Sequence, residues 1–245
     1  MALPILEAAT YELTLPSQDV KIKYRAFLVK EEKVLLQALE SEETKQIVEA
    51  LKQIVHTCTF GSVNVNELPT FDLEYIFLQI RSKSVGEVAK IKVRCPDDNE
   101  TFVTKEVDLS KVEVQVDDKH TNKIVLDEAK KLGIIMKYPT INAVDPTANL
   151  KGMRTQQLFE IIGKSIYQIY EGDKSHNAVD YKPEELNQFI ESLDSKAFGK
   201  IQDFFATMPK LSHEIEVENP KTKVKSKVVL NGLSDFFVSP SLTTT

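Results

Sequence analysis

The chain has little of what cofactor-holding and metal-holding proteins need. It carries two cysteines, Cys58 and Cys95, in 245 residues. Two so far apart cannot form a disulfide framework, and the count fits a reducing compartment. Glycine is scarce, 8 in all, and no G-x-G-x-x-G occurs among them, so the glycine-rich dinucleotide fingerprint is missing. Basic charge is in deficit: 31 Lys and Arg against 37 Asp and Glu give a formal net charge of −6. Nucleic-acid binders draw most of their affinity from neutralising phosphate, so no nucleic-acid partner is expected. No apolar run approaches the roughly 18 residues of a membrane span. The opening MALPILE stretch lacks a basic leader region and is interrupted by Pro4 and Glu7. No membrane segment or secretory leader is expected, and the expected setting is the cytosol or something assembled there.

What is present is ordinary globular material. With 42% hydrophobic and 28% charged residues, the chain can bury a core without staples, and long disorder is not expected. Alternation predicts a first hairpin: Tyr11, Leu13 and Leu15, a turn at residues 16–19, then Val20, Ile22 and Tyr24. The period then becomes helical. Val34, Leu35, Ala38 and Leu39 share one face, Ser41-Glu42-Glu43 interrupts, and Ile47, Val48, Leu51, Ile54 and Val55 share another. Two helices or one bent helix would satisfy that pattern.

A third helix is expected from Thr70, read as its N-cap, to about residues 82–86, with Asp72 and Glu74 placed by the helix dipole in its first turn. A long hairpin follows. Ala89, Ile91, Val93 and Cys95 face one way and Lys90, Lys92 and Arg94 the other; residues 96–99 turn the chain, and Val103, Val107 and Leu109 return. Val112, Val114 and Val116 continue the alternation. Residues 122–139 read as extended, with a short helical turn at 127–131, and residues 142–152 as a linker.

Beyond it, Leu158, Ile161, Ile162, Ile166 and Ile169 predict a helix, and residues 171–180 a polar loop. Pro183 opens a further helix with Leu186, Phe189, Ile190 and Leu193 on its face, and Asp194-Ser195 caps another that Pro209 stops. A second long hairpin closes the chain: Leu211, His213, Ile215 and Val217, a turn at 219–221, then Val224, Val228 and Leu230. The two long hairpins echo each other, each following a helix and turning at a proline. Duplication of a unit and a likeness that goes no deeper than alternation both account for this. The expected class is α+β: two helical clusters, each with long antiparallel hairpins, and no parallel doubly wound sheet. The expected division is 1–142, a linker at 143–152, 153–238, and a frayed tail at 239–245.

Chemical motifs fail on inspection. Gly163-Lys164-Ser165 lacks the glycine that a phosphate loop needs five residues earlier, where Leu158 stands, and it lies in a helix. Asp117-Asp118-Lys119-His120 has no second histidine nearby to close a metal site. Cys95-Pro96 resembles half of a zinc knuckle, but Asp98 occupies the second sulfur position and the other hairpin has no cysteine. There is no G-x-S-x-G elbow, and His56, two residues from Cys58 on a helix, points to a different face. No catalytic residue, cofactor, metal or small-molecule substrate is expected. The remaining unusual segment is the helix from Thr70, where Phe71, Leu73, Tyr75, Ile76, Phe77, Leu78 and Ile80 leave few polar positions. Such a helix is either buried in its own fold or open on one side to a partner, with Phe71, Tyr75 and Phe77 as the partner-facing candidates.

Three stretches carry a resemblance: residues 27–36 (FLVKEEKVLL) with Leu39-Glu40-Ser41; residues 68–78 (LPTFDLEYIFL) running on through 80–86 (IRSKSVG); and the hairpin from Lys90 with its Cys95-Pro96 tip. In this order, over roughly the first 110 residues, the chain resembles the baseplate hub and hub-assembly proteins of T4-type bacteriophages. The resemblance implies a non-enzymatic part of a contractile phage tail that binds other tail and baseplate hub proteins, the tape-measure protein among the candidates. It would act as a structural subunit retained in the virion tail baseplate, or as an assembly factor or chaperone absent from the mature virion. An unrecognised small hydrolase is the reading from a different class. Some relatives carry a fuller set of cysteines at the hairpin tip; this chain departs there, so a metal-stabilised version of the fold is not carried over.

Overall fold

Residues 8–143 and 155–237 are described by the computed structural model of the chain. The expected linker, apart from Ala143, and the expected tail at 239–245 lie outside the described residues. In chain order the elements are β1 (Thr10–Leu15), β2 (Val20–Arg25), α1 (Val29–Glu40), α2 (Thr44–Cys58), α3 (Thr70–Val85), β3 (Val88–Arg94), β4 (Phe102–Asp108), β5 (Glu113–Gln115), β6 (Lys123–Asp127) and β7 (Leu132–Met136). Then come α4 (Thr155–Ser165), β8 (Ile166–Glu171), β9 (Lys174–Asn177), α5 (Pro183–Glu191), α6 (Ser195–Thr207), β10 (Lys210–Glu218), β11 (Lys225–Asn231) and α7 (Gly232–Phe237). Every strand pair among the described residues is antiparallel, so the class is α+β with hairpins, as the alternation implies.

The chain forms two units, residues 1–115 with 210–245, and residues 116–209. This grouping differs from a split at 143–152, because β10 pairs with β5, Leu211 lying opposite Val114. The second long hairpin thereby joins the first unit. In that unit β1 and β2 bury Leu13, Leu15, Ile22 and Tyr24, an alternation that a one-residue slip would turn outward. Helices α1 and α2 are separate, divided where Glu42 takes φ 55°. At the start of α1 the Glu31 carboxylate accepts the Leu28 amide at 2.8 Å and Arg25 Nη2 at 2.9 Å. Burial works against that charge, but the two hydrogen bonds hold Glu31 below the usual carboxylate range. Pro69, not Thr70, is the N-cap of α3, and Thr70 is its first helical residue.

The second unit is a four-stranded meander, β6-β7-β8-β9, with a core that includes Ile124, Ile134, Met136, Ile162, Ile166, Ile190, Ile201 and Phe204. The helix expected to run through Ile169 ends at Ser165, and Ile166–Glu171 is strand β8. Its Ile-Tyr-Gln-Ile-Tyr sequence is β-branched and aromatic, the composition a pleated surface favours, and β7 is there to pair with it. The expected polar loop at 171–180 contains β9, whose Lys-Ser-His-Asn sequence is the polar edge of the sheet. The expected helical turn at 127–131 is a reverse turn joining β6 to β7. Gly133 faces Tyr170 across the β7–β8 pair, and a Cβ there would fall 2.2 Å from the phenol oxygen and 2.5 Å from the Ile124 carbonyl. The ring covers the glycine, the cross-strand arrangement by which an aromatic shields the bare backbone.

Candidate interaction site

The first unit is organised on α3. A helix this apolar all round must be enclosed, and it is: Leu73, Ile76, Phe77, Leu78 and Ile80 are wholly buried. Of the three partner-facing candidates, Phe71 is 4% and Phe77 0% exposed, so in this chain both belong to the core. Tyr75 alone keeps part of its surface. Burial, with Glu113 close by, pushes its phenol up, so the ring stays neutral.

The polar residues of α3 act as pegs. Asp72, placed by the sequence pattern in a solvated first turn, is instead fully buried and accepts the Ser17 hydroxyl and, at 3.2 Å, the Ser17 amide, fixing the β1–β2 turn. Burial nevertheless raises its pKa, against those two hydrogen bonds. Glu74 is also buried, and its Oε1 accepts the Leu233 amide of α7 at 3.3 Å. Farther along, the Ser84 hydroxyl accepts the Phe27 amide at 2.9 Å, and burial lowers the pKa of the Arg81 guanidinium. Sequence pattern missed Asp72 and Glu74 because a first-turn carboxylate looks the same whether water or protein surrounds it.

The tips of the two long hairpins meet. Asn219, 1% exposed, donates from Nδ2 to both Asp97 oxygens at 3.1 and 3.0 Å and to Asp98 Oδ2 at 2.9 Å. Its Oδ1 accepts the Lys221 amide at 2.9 Å, and Thr222 donates its hydroxyl to Asp97. Asp98 is further held by the Thr101 hydroxyl and by the amides of Thr101 and Glu100. The hydrogen bonds from Thr222 and Asn219 lower the Asp97 pKa, and those from Thr101, Glu100 and Asn219 put Asp98 far below the usual carboxylate range. The tips thus have knuckle-like turns held by an amide and hydroxyls bonding to carboxylates. The signal in the sequence was the echo of Cys-Pro-Asp-Asp and Asn-Pro-Lys-Thr, one proline-containing turn answering the other.

Each residue with potential chemistry has its own local partners. Lys164, in the last turn of α4, lies 3.6 Å from Glu160, and backbone amides inside a helix are not free to cradle phosphate. His120 Nδ1 lies 3.0 Å from Thr207 Oγ1, with the imidazole stacked on Tyr138 and tilted against Phe204. Burial, opposed by Asp117, lowers its pKa. Cys58 is wholly buried and burial pushes its thiol up to about 11, which leaves negligible thiolate at neutral pH. Cys95 is buried too, at the end of its hairpin strand. His176 pairs with Tyr181 at 2.6 Å. Among the described residues no three His, Cys, Asp or Glu side chains converge as metal ligands, and no helix is long and apolar enough to cross a membrane.

What the first unit offers outward is apolar and aromatic surface between charges. Phe102 of β4 is 47% exposed, with Lys92 Nζ 5.0 Å and Arg94 Cζ 5.3 Å from its ring centroid. Val29, Phe60 and Val88 are exposed as well. The family model described as T4 bacteriophage base plate protein matches residues 8–238, which takes in both units. No curated protein matches, and no solved structure does.

Proposed function

Because this chain belongs to the T4 bacteriophage base plate protein family, we propose that it is a permanent structural subunit of the baseplate hub of a contractile tail. It binds other tail proteins and catalyses nothing. Membership itself makes the role a structural one in a phage baseplate; the hub, the retention in the virion and the mode of binding are our reading. The observation that carries it is the family match along nearly the whole chain. Its support in the molecule is the way potential chemical groups are committed: Asp72 and Glu74 to internal amides, Asp97 and Asp98 to the hairpin tips, both cysteines to the core.

In this reading the product assembles in the host cytoplasm and ends in the tail. Its partners are hub neighbours, with the tape-measure protein among the candidates. The partner surface includes Tyr75, since half-buried aromatics are favoured anchors at protein interfaces, while Phe71 and Phe77 support the fold. Co-expression with neighbouring tail genes tests this. Tyr75→Ala should leave the melting temperature nearly unchanged and abolish co-purification with the partner. If it instead destabilises the chain by ~3 kcal/mol, as truncating a buried aromatic does, Tyr75 is core and the partner surface lies elsewhere.

A further inference from the structure

Glu74 is a buried carboxylate with a poor set of partners. Its one hydrogen bond among the described residues comes from the Leu233 amide, at 3.3 Å. Gly232, at φ +64°, brings its backbone so close that an added Cβ would lie 3.1 Å from Glu74 Oε1. The charged group acting on it is Asp235 of α7, a like charge, which itself accepts the Asn231 amide at 2.7 Å. Asp72, on the same helix, is committed to Ser17, and Glu113 of β5 acts on Tyr75. Among the described residues no cation compensates Glu74. Over it lies α7, six residues long, with Leu233 and Phe236 buried.

We propose that α7 is a strap, seated on α3 while Glu74 is protonated and released as Glu74 ionises. An ionised carboxylate loses most of its hydration in this position and receives one long hydrogen bond in return. Lifting α7 returns it to water, separates it from Asp235, and uncovers Leu233, Phe236 and the α3 surface beneath. Burial, with Asp235 adding to it against the Leu233 hydrogen bond, pushes Glu74 up to about 7 from 4.5. Linkage then gives the direction. The seated form holds its proton to higher pH than the released form. Release therefore grows about tenfold per pH unit between those two values and levels off above the higher one, a total of about 300-fold. The strap stands or falls independently of any baseplate partner.

Hydrogen exchange on the full chain, corrected for intrinsic rates between pH 4.5 and 8.5, measures this. Amides of residues 233–237 should lose protection by about 300-fold up to neutral pH and then hold constant, while those of α2 stay protected. In Glu74→Gln the same amides should show no pH dependence. Phe236→Trp places a single tryptophan in a chain with none, and its emission, excited apart from the tyrosines, should shift red over the same range. A native chain whose α7 protection does not change with pH overturns the proposal without any variant. So does a response that persists in Glu74→Gln, or one that α2 shares.

Discussion

Replacing Asn219 by alanine removes one buried amide from the meeting point of two hairpins that are 122 residues apart in sequence. The amide's two hydrogens are shared among three carboxylate oxygens at 2.9–3.1 Å, and its oxygen accepts the Lys221 amide at 2.9 Å. A hydrogen bond in a folded protein contributes a net ~1 kcal/mol, more when one partner is charged, less where water competes. Asp97 is exposed and Asp98 half-exposed, so the lower figure applies. Two donated bonds and one good accepted bond then give a loss of about 2 kcal/mol, a drop in melting temperature of about 6 °C for a chain of this size. Urea denaturation at pH 7 measures it. Asn219→Asp should be worse than alanine there, because a third carboxylate would face Asp97 and Asp98. That excess should shrink as the pH falls toward 4, where carboxylates begin to take up protons. Asn219→Ala within about 0.5 kcal/mol of the parent, the scatter of a surface substitution, would refute the reasoning, as would an aspartate milder than alanine at pH 7.

Two further outcomes concern His120 and Cys95. Burial lowers the His120 pKa, against Asp117, so the folded second unit binds fewer protons than the unfolded chain; its stability should fall as pH drops through the ordinary imidazole range. His120→Phe, read by thermal melts from pH 7.5 to about 5, should remove that dependence. Elemental analysis of the purified chain should find zinc well below one equivalent, and chelator should leave its melting unchanged, because Cys95 has no thiol partner at the tips.

The hairpins, α5 and α6 were legible because each rule that forms them is local. Leu13 and Ile22 alternate with charges around a proline turn, and the Asp194 carboxylate accepts the Ala197 amide at 2.7 Å, the capping bond its type and position imply. The errors have a physical cause. Ile166 and Ile169 continue the helical spacing of Leu158 and Ile162, so period alone could not separate the end of α4 from β8; pairing with β7 decided it. Strand β9 has no apolar residue to announce it. The assignment of the second hairpin to the first unit depends on Leu211 meeting Val114, which no local pattern contains. The same holds for the site. Apolarity all round α3 announced its burial, but which of Phe71, Tyr75 and Phe77 keeps a surface depends on what packs against each. Glu74 read as a dipole-placed surface charge until α7, more than 150 residues later, was seen to lie against it.

Quantitative mass spectrometry of purified virions, with separated tails and baseplates alongside, tests the central claim most directly. A permanent hub subunit should be present in fixed stoichiometry with the other baseplate proteins, remain with the baseplate fraction through high salt, and be absent from isolated heads. Abundance in infected cells with none in the purified virion would contradict that account and identify an assembly factor that leaves before the tail is complete.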